Sequence, residues 1–303
     1  MNNKKVAILM STYNGEKYIK EQLDSLLNQS YKNIEIYIRD DGSKDKTINI
    51  VKEYENKYNN VIFNQGENVG YINSFFNLLK LCDDADYYAY CDQDDIWMEE
   101  KIERTVQKLD ENSCDKPILY FSNLDFYDGE MNYLASAPKE KKYNFRNSLV
   151  ECITQGMTMV INKKARDTII DNIPSVCLGH DWWTYMICSG FGKIIYDSES
   201  LVKYRRHNKS VTLEGESQFK LLIWRIKKFL LGDSLKQIKV QIKEYDKLYS
   251  DKLNNEDRKL LKLFTKDKYN FLIALRKSFY PKRYRRKIID EISVRILFIF
   301  GNL

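Results

Sequence analysis

The chain has 303 residues, 43% hydrophobic and 13% aromatic, which is enough for a sizeable core and too apolar for a disordered polymer. Six cysteines (Cys82, Cys91, Cys114, Cys152, Cys177 and Cys188) lie apart without a CxxC pair, so neither a zinc site nor a disulfide framework is indicated, and a reducing compartment fits. The net charge of +6 is unevenly placed: Gly215 to Leu303 holds 22 Lys+Arg against 10 Asp+Glu, net +12, while the remainder holds 27 against 33, net −6.

The N-terminal stretch "MNNKKVAILMSTYN" lacks the length and the small-residue cleavage site of a signal peptide and reads as a first strand. No apolar stretch reaches the roughly 18 residues of a membrane-spanning helix. After this strand, Tyr18, Ile19, Leu23, Leu26 and Leu27 recur at helical spacing, and "IEIYIRD" is a second strand. A helix from Lys46 to Tyr58, the strand "NVIFNQ", a helix across "YINSFFNLLKLC" and the strand "YYAYCD" follow. Alternation of this kind predicts a mostly parallel sheet covered by helices, with ligands beyond the carboxyl ends of the strands.

Three of those strand ends carry polar clusters. In "STYNGE", Ser11 and Tyr13 join a hydroxyl to an aromatic face suited to a flat base, although a turn and helix cap would use the same residues. In "RDDGSKDKT", Asp40 and Asp41 suit a turn and Asp45 suits a cap. In "DQDDIW", Asp92, Asp94 and Asp95 crowd negative charge at a strand end, where each resists ionisation unless a cation offsets the field. Mg²⁺ or Mn²⁺, which take carboxylates together with substrate phosphates, would supply that offset. An acidic loop capping a helix that starts near Met98 is the other reading.

Taken together, "VAILMSTYNGEKYIKEQLDSLLNQSYKNIEIYIRDDGSKDKT", "NVGYINSFFNLL" and "DQDDIWMEEKI" resemble the successive signatures of bacterial family 2 glycosyltransferases, particularly rhamnosyltransferase-like members. The resemblance runs from Val6 to Val211 and implies the GT-A nucleotide-diphosphosugar transferase fold, an α/β domain over residues 1–214, followed by a basic helical region over 215–303. It also implies an inverting, metal-dependent hexosyl transfer with Mn²⁺ or Mg²⁺ as cofactor. By position, Ser11, Tyr13 and Asp41 look like base- and ribose-binding residues. Asp92 and Asp94 look like a metal-binding Asp-x-Asp pair, with Asp92 also reaching a ribose hydroxyl.

The later segments are similar to the family's acceptor side. "TQGMTMVINKKA" reads as a loop, a strand and a helix around Gly156. In "LGHDWWTYMICSGFG", Asp181 opens an apolar helix, where an aspartate is most often a cap. The family places its general base at the matching position, and Trp182 and Trp183 suit a sugar-binding wall. "YRRHNKSVT" ends the domain; Arg205 is a candidate for phosphate oxygens and His207 for the metal.

Beyond this, "FKLLIWRIKKFLLG", "LKQIKVQIKEYDKLY" and "LKLFTKDKYNFLIALRKSFY" show helical periodicity with lysines between apolar residues. No nucleic-acid module accompanies the basic face, so nucleic acid is not an expected partner. An anionic membrane surface suits it, as does a helical homo-oligomer contact. The expectation is a cytoplasmic enzyme, peripheral at the inner face of the plasma membrane. It would move a sugar, first thymidine diphosphate rhamnose, from a nucleotide-diphosphate donor to a saccharide or lipid-linked acceptor in cell-surface polysaccharide assembly. A catalytically silent sugar-nucleotide-binding scaffold is the alternative, and keeping Asp92, Asp94 and Asp181 argues against it. A phosphohydrolase leaves "STYNGE" and "RDDGS" without a role, and a dehydrogenase lacks GxGxxG after the first strand.

Overall fold

Strand β1 (Val6–Thr12) is apolar from Val6 to Met10 and almost wholly buried, as a central strand covered on both faces must be. Ile19, Leu23 and Leu26 of α1 (Ile19–Leu27) form a stripe that buries against the sheet. The chain then alternates through β2 (Ile34–Asp40), α2 (Thr47–Lys57), β3 (Val61–Gln65), α3 (Tyr71–Leu81) and β4 (Tyr87–Cys91). In this computed structural model, residues 4–139, 142–206, 234–266 and 268–300 are described. The boundary expected near Gly215, the helix expected over "FKLLIWRIKKFLLG" and His207 lie outside them.

The described strands form one nine-stranded sheet, in the order β3-β2-β1-β4-β8-β6-β9-β5 with β7 beside β6. The first four are mutually parallel. β8 (Met159–Asn162) then runs antiparallel to both β4 and β6 (Ile118–Tyr127), and β6 pairs in parallel with the long β9 (Lys193–Arg205). The two-residue β5 (Ile96–Trp97) is antiparallel to β9, and β7 (Tyr133–Ser136) to β6. The register of β6 against β9 shifts on either side of Asn123, a bulge that takes Asp197 into a two-pronged pair with Arg104 at 2.6 and 3.0 Å. Arg104 stands on α4 (Lys101–Glu111), which therefore begins three residues later than Met98, because Ile96 and Trp97 join the sheet first. α6 (Lys163–Asp171) follows β8.

The chain divides into two compact units. One comprises Met1–Glu140, Thr154–Ile173 and Gly192–Lys209 and holds the sheet. The other comprises Lys141–Ile153, Pro174–Phe191 and Ser210–Leu303 and is helical. Its described helices are α5 (Phe145–Ser148), α7 (His180–Phe191), α8 (Ser234–Tyr249), α9 (Asn255–Phe264), α10 (Phe271–Ser278) and α11 (Ile288–Ile299). The segment "LKLFTKDKYNFLIALRKSFY" contains two helices, because Asn270 accepts from the backbone N–H of Ile273 at 3.1 Å and caps α10 afresh. Trp183 lies buried near Tyr245 and Tyr249, with ring centroids 5.8 and 6.1 Å away, and a second aromatic group joins Phe264, Tyr284 and Phe298.

Candidate active site

Parallel register brings three strand ends to one edge of the sheet: Thr12 lies opposite Asp40, and Met10 opposite Cys91. The residues that follow, Tyr13, Asp41 and Asp92, therefore leave the sheet side by side. This is the crevice position of an open α/β sheet.

Side chains from one loop fix the backbone of the next. Gln93 clamps Tyr13, accepting from its N–H at 2.9 Å and donating to its carbonyl at 3.0 Å, which leaves the Tyr13 ring exposed. Gly15 makes room for that clamp, since a Cβ there would stand 2.2 Å from Gln93 Oε1. Ser11 Oγ donates to Ser74 Oγ at 2.6 Å, which ties β1 to α3.

The paired aspartates after β2 differ in role. Asp40 builds its own turn, accepting from Gly42 and Ser43 backbone N–H groups at 3.1 and 2.7 Å and from Thr12 Oγ1 at 2.9 Å. Asp41, also buried, accepts from Arg39 and from the N–H groups of Val69 and Gly70, at 3.1 and 2.9 Å. Arg39 and the Val69 N–H engage its Oδ1 while the Val69 and Gly70 N–H groups engage its Oδ2, so both oxygens are held by the protein's own donors. Arg39 also donates to the Glu67 carbonyl at 3.0 Å, and its guanidinium lies where a Cβ on Gly66 would be. The 66–70 loop is thus held by an ion pair whose two members both come from the end of β2.

In the acidic loop, Asp92 and Asp94 are half-buried and Asp95 is fully buried. Asp95 Oδ1 accepts from the backbone N–H of Arg205 at 3.0 Å, and Oδ2 has no hydrogen-bond partner among the described residues. Burial, and then the charges of Asp94 and Asp92, push the Asp95 carboxyl well above the usual carboxylate range. No group of three or more His, Cys, Asp and Glu side chains forms a metal cage among the described residues. The donors present nevertheless fit a hard divalent ion, which takes one or two carboxylates and completes its shell from substrate phosphates and water. Their like charges also raise one another's cost of ionisation, which such an ion would relieve.

Arg205, at the end of β9, is buried and turned inward. Its Nε donates to the Asp94 carbonyl at 3.0 Å and its Nη1 to the Gly129 carbonyl at 3.2 Å; it also pairs with Glu21 and lies 4.6 Å over the Tyr18 ring. A guanidinium engaged in this way positions the acidic loop. Gly156 is buried in a 3₁₀ turn (Gly156–Thr158) that leads into β8, the antiparallel neighbour of β4.

In the helical unit, Asp181 stands in the first turn of α7, half-buried, and accepts from the Trp182 N–H at 2.7 Å. Its Oδ1 folds over Gly179, where a Cβ would lie 2.4 Å away. Burial pushes the Asp181 carboxyl up to about 6, against the backbone bonds that lower it. Beside it, burial holds His180 down to about 3, so its imidazole is neutral. Trp182 is half-buried, with Nε1 donating to the Ser148 carbonyl at 2.6 Å, whereas Trp183 belongs to the core, which leaves Trp182 alone of the expected aromatic wall. Gln93, Ser74, Arg39, Glu21 and Gly179 were not foreseen from the sequence, because each acts through a partner distant in sequence or through the space it leaves.

The arrangement is that of a sugar-nucleotide transferase, a strand-end crevice with an Asp-x-Asp loop. The family model for Glycosyl transferase family 2 matches residues 7–169, and the chain belongs to that family of transferases. It is 32% identical over 218 residues to the dTDP-rhamnosyl transferase RfbG of Shigella flexneri, a match covering 66% of this chain and 72% of the relative. For a Rickettsia typhi relative the share of that protein is 65%, so the chain spans roughly two thirds of the length of these relatives. S. aureus TarS 1-349, solved in complex with UDP-GlcNAc, shares the fold with a TM-score of 0.58 at 16% identity, covering 98% of this chain and 89% of that one. The Pyrobaculum calidifontis mannosyltransferase PcManGT, solved with GDP-Man and Mn²⁺, does so with a TM-score of 0.56 at 14% identity, covering 98% and 74%. The GT-A fold expected from the sequence is therefore the fold of this chain.

Proposed function

We propose that the chain is an inverting glycosyltransferase that moves a sugar, thymidine diphosphate rhamnose being the first donor to test, onto a hydroxyl of a growing, lipid-linked cell-surface polysaccharide. The observation that carries this reading is the convergence of Tyr13, Asp41 and the Asp92–Asp94 pair on one sheet edge, with the loops clamped by Gln93 and Arg205. Likeness to RfbG supports the donor. Tyr13 offers an exposed ring to the base, and Asp41 stands at the neighbouring strand end as the base- or ribose-side residue of this reading. Ser11 and Gly156 line the same reading as donor- and acceptor-side contacts. Arg205 acts as a positioning residue, by holding the carbonyl of Asp94.

Asp92 and Asp94 would hold Mn²⁺ or Mg²⁺, and a bound ion supplies countercharge for the departing nucleoside diphosphate. In the transfer, the acceptor oxygen bonds to the anomeric carbon as the bond from that carbon to the diphosphate oxygen breaks. The acceptor proton passes to a carboxylate. We assign that carboxylate to Asp181, whose raised pKa places it near the working pH of a general base, with Trp182 as a contact for the acceptor sugar. A peripheral position at the inner face of the plasma membrane belongs to the same reading, because a lipid-linked acceptor lies there. Among the described residues no helix is long and apolar enough to cross a membrane.

The test is thermal shift of the purified chain against a panel of nucleotide sugars with and without Mn²⁺, followed by a transfer assay with the stabilising donor. Mn²⁺-dependent stabilisation by one donor is the expected result. Failure of every nucleotide sugar to shift the melting temperature would sink the proposal.

A further inference from the structure

The helical unit carries a feature that sugar transfer does not use. A cavity of about 380 Å³ is lined by six cationic residues, Lys142, Arg146, Lys282, Arg283, Arg285 and Arg286. Two of these are engaged by carboxylates: Lys282 with Glu256 at 2.9 Å and Arg286 with Glu151 at 3.1 Å. Glu291 accepts the backbone N–H groups of Tyr284 and Arg285 and pairs with Arg295. Arg146 donates Nε to the Arg283 carbonyl at 2.9 Å and faces the Tyr280 ring, while Arg285 donates to the Val150 carbonyl at 2.8 Å. Lys142, Arg146 and Arg283 form no ion pair with a carboxylate among the described residues. The cavity therefore keeps a surplus of positive charge, with Arg146 and Arg285 held by neighbouring carbonyls, which is the chemistry that recognises phosphate oxygens.

One wall of the cavity, Pro281 to Arg286, is the loop between α10 and α11, and both helices turn apolar side chains to solvent beside it. On α11, Ile288, Ile289, Ile292 and Ile296 are exposed, as is Phe300 just past its end, whereas Asp290, Glu291, Val294, Leu297 and Phe298 are buried. At 3.6 residues per turn the exposed set falls on one face and the buried set on the opposite one. Phe279, 76% exposed, follows the last residue of α10 at the start of this loop. A run of large apolar side chains at this exposure, ending in a polybasic loop, is the composition of a helix that lies in a bilayer interface beside anionic headgroups.

We propose that the α10–α11 hairpin is a membrane-docking face, with the stripe on α11 entering the acyl boundary and the cationic cavity taking the phosphate of an anionic phospholipid headgroup. It deepens the lipid-linked acceptor reading by naming the surface that meets the membrane. Binding is measured without donor or acceptor, so its failure is separable from failure of that reading.

The experiment is co-sedimentation of the full chain with phosphatidylcholine vesicles with and without phosphatidylglycerol, at low and high salt. Two double variants are compared, Lys142→Gln with Arg283→Gln and Ile292→Ser with Ile296→Ser, each checked for unchanged circular dichroism and melting temperature. Should the isoleucine pair disturb folding, Phe279→Ser takes its place. The wild type should bind only vesicles containing phosphatidylglycerol and should release as salt rises. Removing two charges should weaken partitioning roughly 30-fold, and the apolar variant should also fail to bind. Absence of wild-type binding at low salt overturns the proposal, as does binding of either double variant equal to wild type. So does a wild type that sedimentation velocity shows to be a dimer and the isoleucine variant a monomer, which would make the stripe a contact between copies.

Discussion

Replacing Asp181 by Asn tests catalysis and stability at one position. The Asp181 carboxyl stands at about 6 in the folded chain, against an ordinary value of 3.8, because burial disfavours its charged form. A folded-state pKa above the unfolded one means that the folded state holds the proton more tightly. Any stabilisation tied to that proton is complete below about pH 4 and is lost as pH rises through 6. At pH 7 the charged carboxylate thus costs the fold up to about 3 kcal/mol. Asn carries no charge, keeps an Oδ1 able to accept the Trp182 N–H, and has nearly the same volume. Asp181→Asn should therefore raise the melting temperature at pH 7 by on the order of 5 °C and leave it unchanged near pH 4. The same change removes the proton acceptor, so turnover should fall by about 10² or more with donor affinity kept. In the wild type, kcat/KM should fall on the acid side with a midpoint near 6, where an ordinary aspartate would give one near 4. Scanning calorimetry at both pH values and a coupled release assay for the nucleoside diphosphate measure these effects. A variant with near-normal turnover would return Asp181 to the role of a helix cap, and a lowered melting temperature at pH 7 would show that burial does not dominate its environment.

The acidic loop and its clamp give two further expectations. Asp94→Asn should abolish transfer and weaken Mn²⁺-dependent donor binding while leaving the melting temperature near wild type; calorimetric titration of the donor with and without Mn²⁺ is the measurement, and unchanged metal-dependent affinity would remove Asp94 from the site. Gln93→Ala removes both bonds to the Tyr13 backbone and should weaken donor binding roughly tenfold. Gly15→Ala should do the same by pushing Gln93 aside, and the double variant should be no worse than Gln93→Ala alone, whereas additive losses in the cycle would show that the two residues act separately.

How much of this was legible in the sequence depended on how local the signal was. β1, β2 and β4 announced themselves because each is a short apolar run ending in polar residues, and parallel pairing then fixes where those residues go. The capping role of Asn270 was equally local, yet the apolar repeat on either side of it hid the break between α9 and α10. The pairing of β6 with β9 was out of reach, since its register is set by a partner about 75 positions away and by a bulge at Asn123 that no periodicity marks. Arg205 looked like a phosphate ligand from the "YRRH" string alone; its attachment to Glu21, 184 positions earlier, exists only once β9 has joined the sheet.

That contrast orders the polar residues of the sheet unit. Asp40 has its oxygens filled by its own turn, and the guanidinium of Arg205 by carbonyls and a carboxylate, so these charges hold loops in place. Asp41 is held likewise, both of its oxygens engaged by Arg39 and by the N–H groups of Val69 and Gly70. Asp92, Asp94 and the exposed ring of Tyr13 sit at the same edge, on loops whose backbones others have already fixed. A crevice built in this way needs little reordering of its loops when a ligand arrives, so more of the contact energy is retained as affinity. The cost is concentrated in the acidic loop, where burial and like charge hold the Asp95 carboxyl above its usual range. Asp95 accepts a backbone N–H from the end of β9 and not from the first turn of α4, so it does not act as that helix's cap. Asp95 and Arg205 thus tie the acidic loop to the end of β9, which leaves Asp92 and Asp94 as the carboxylates proposed to meet a cation.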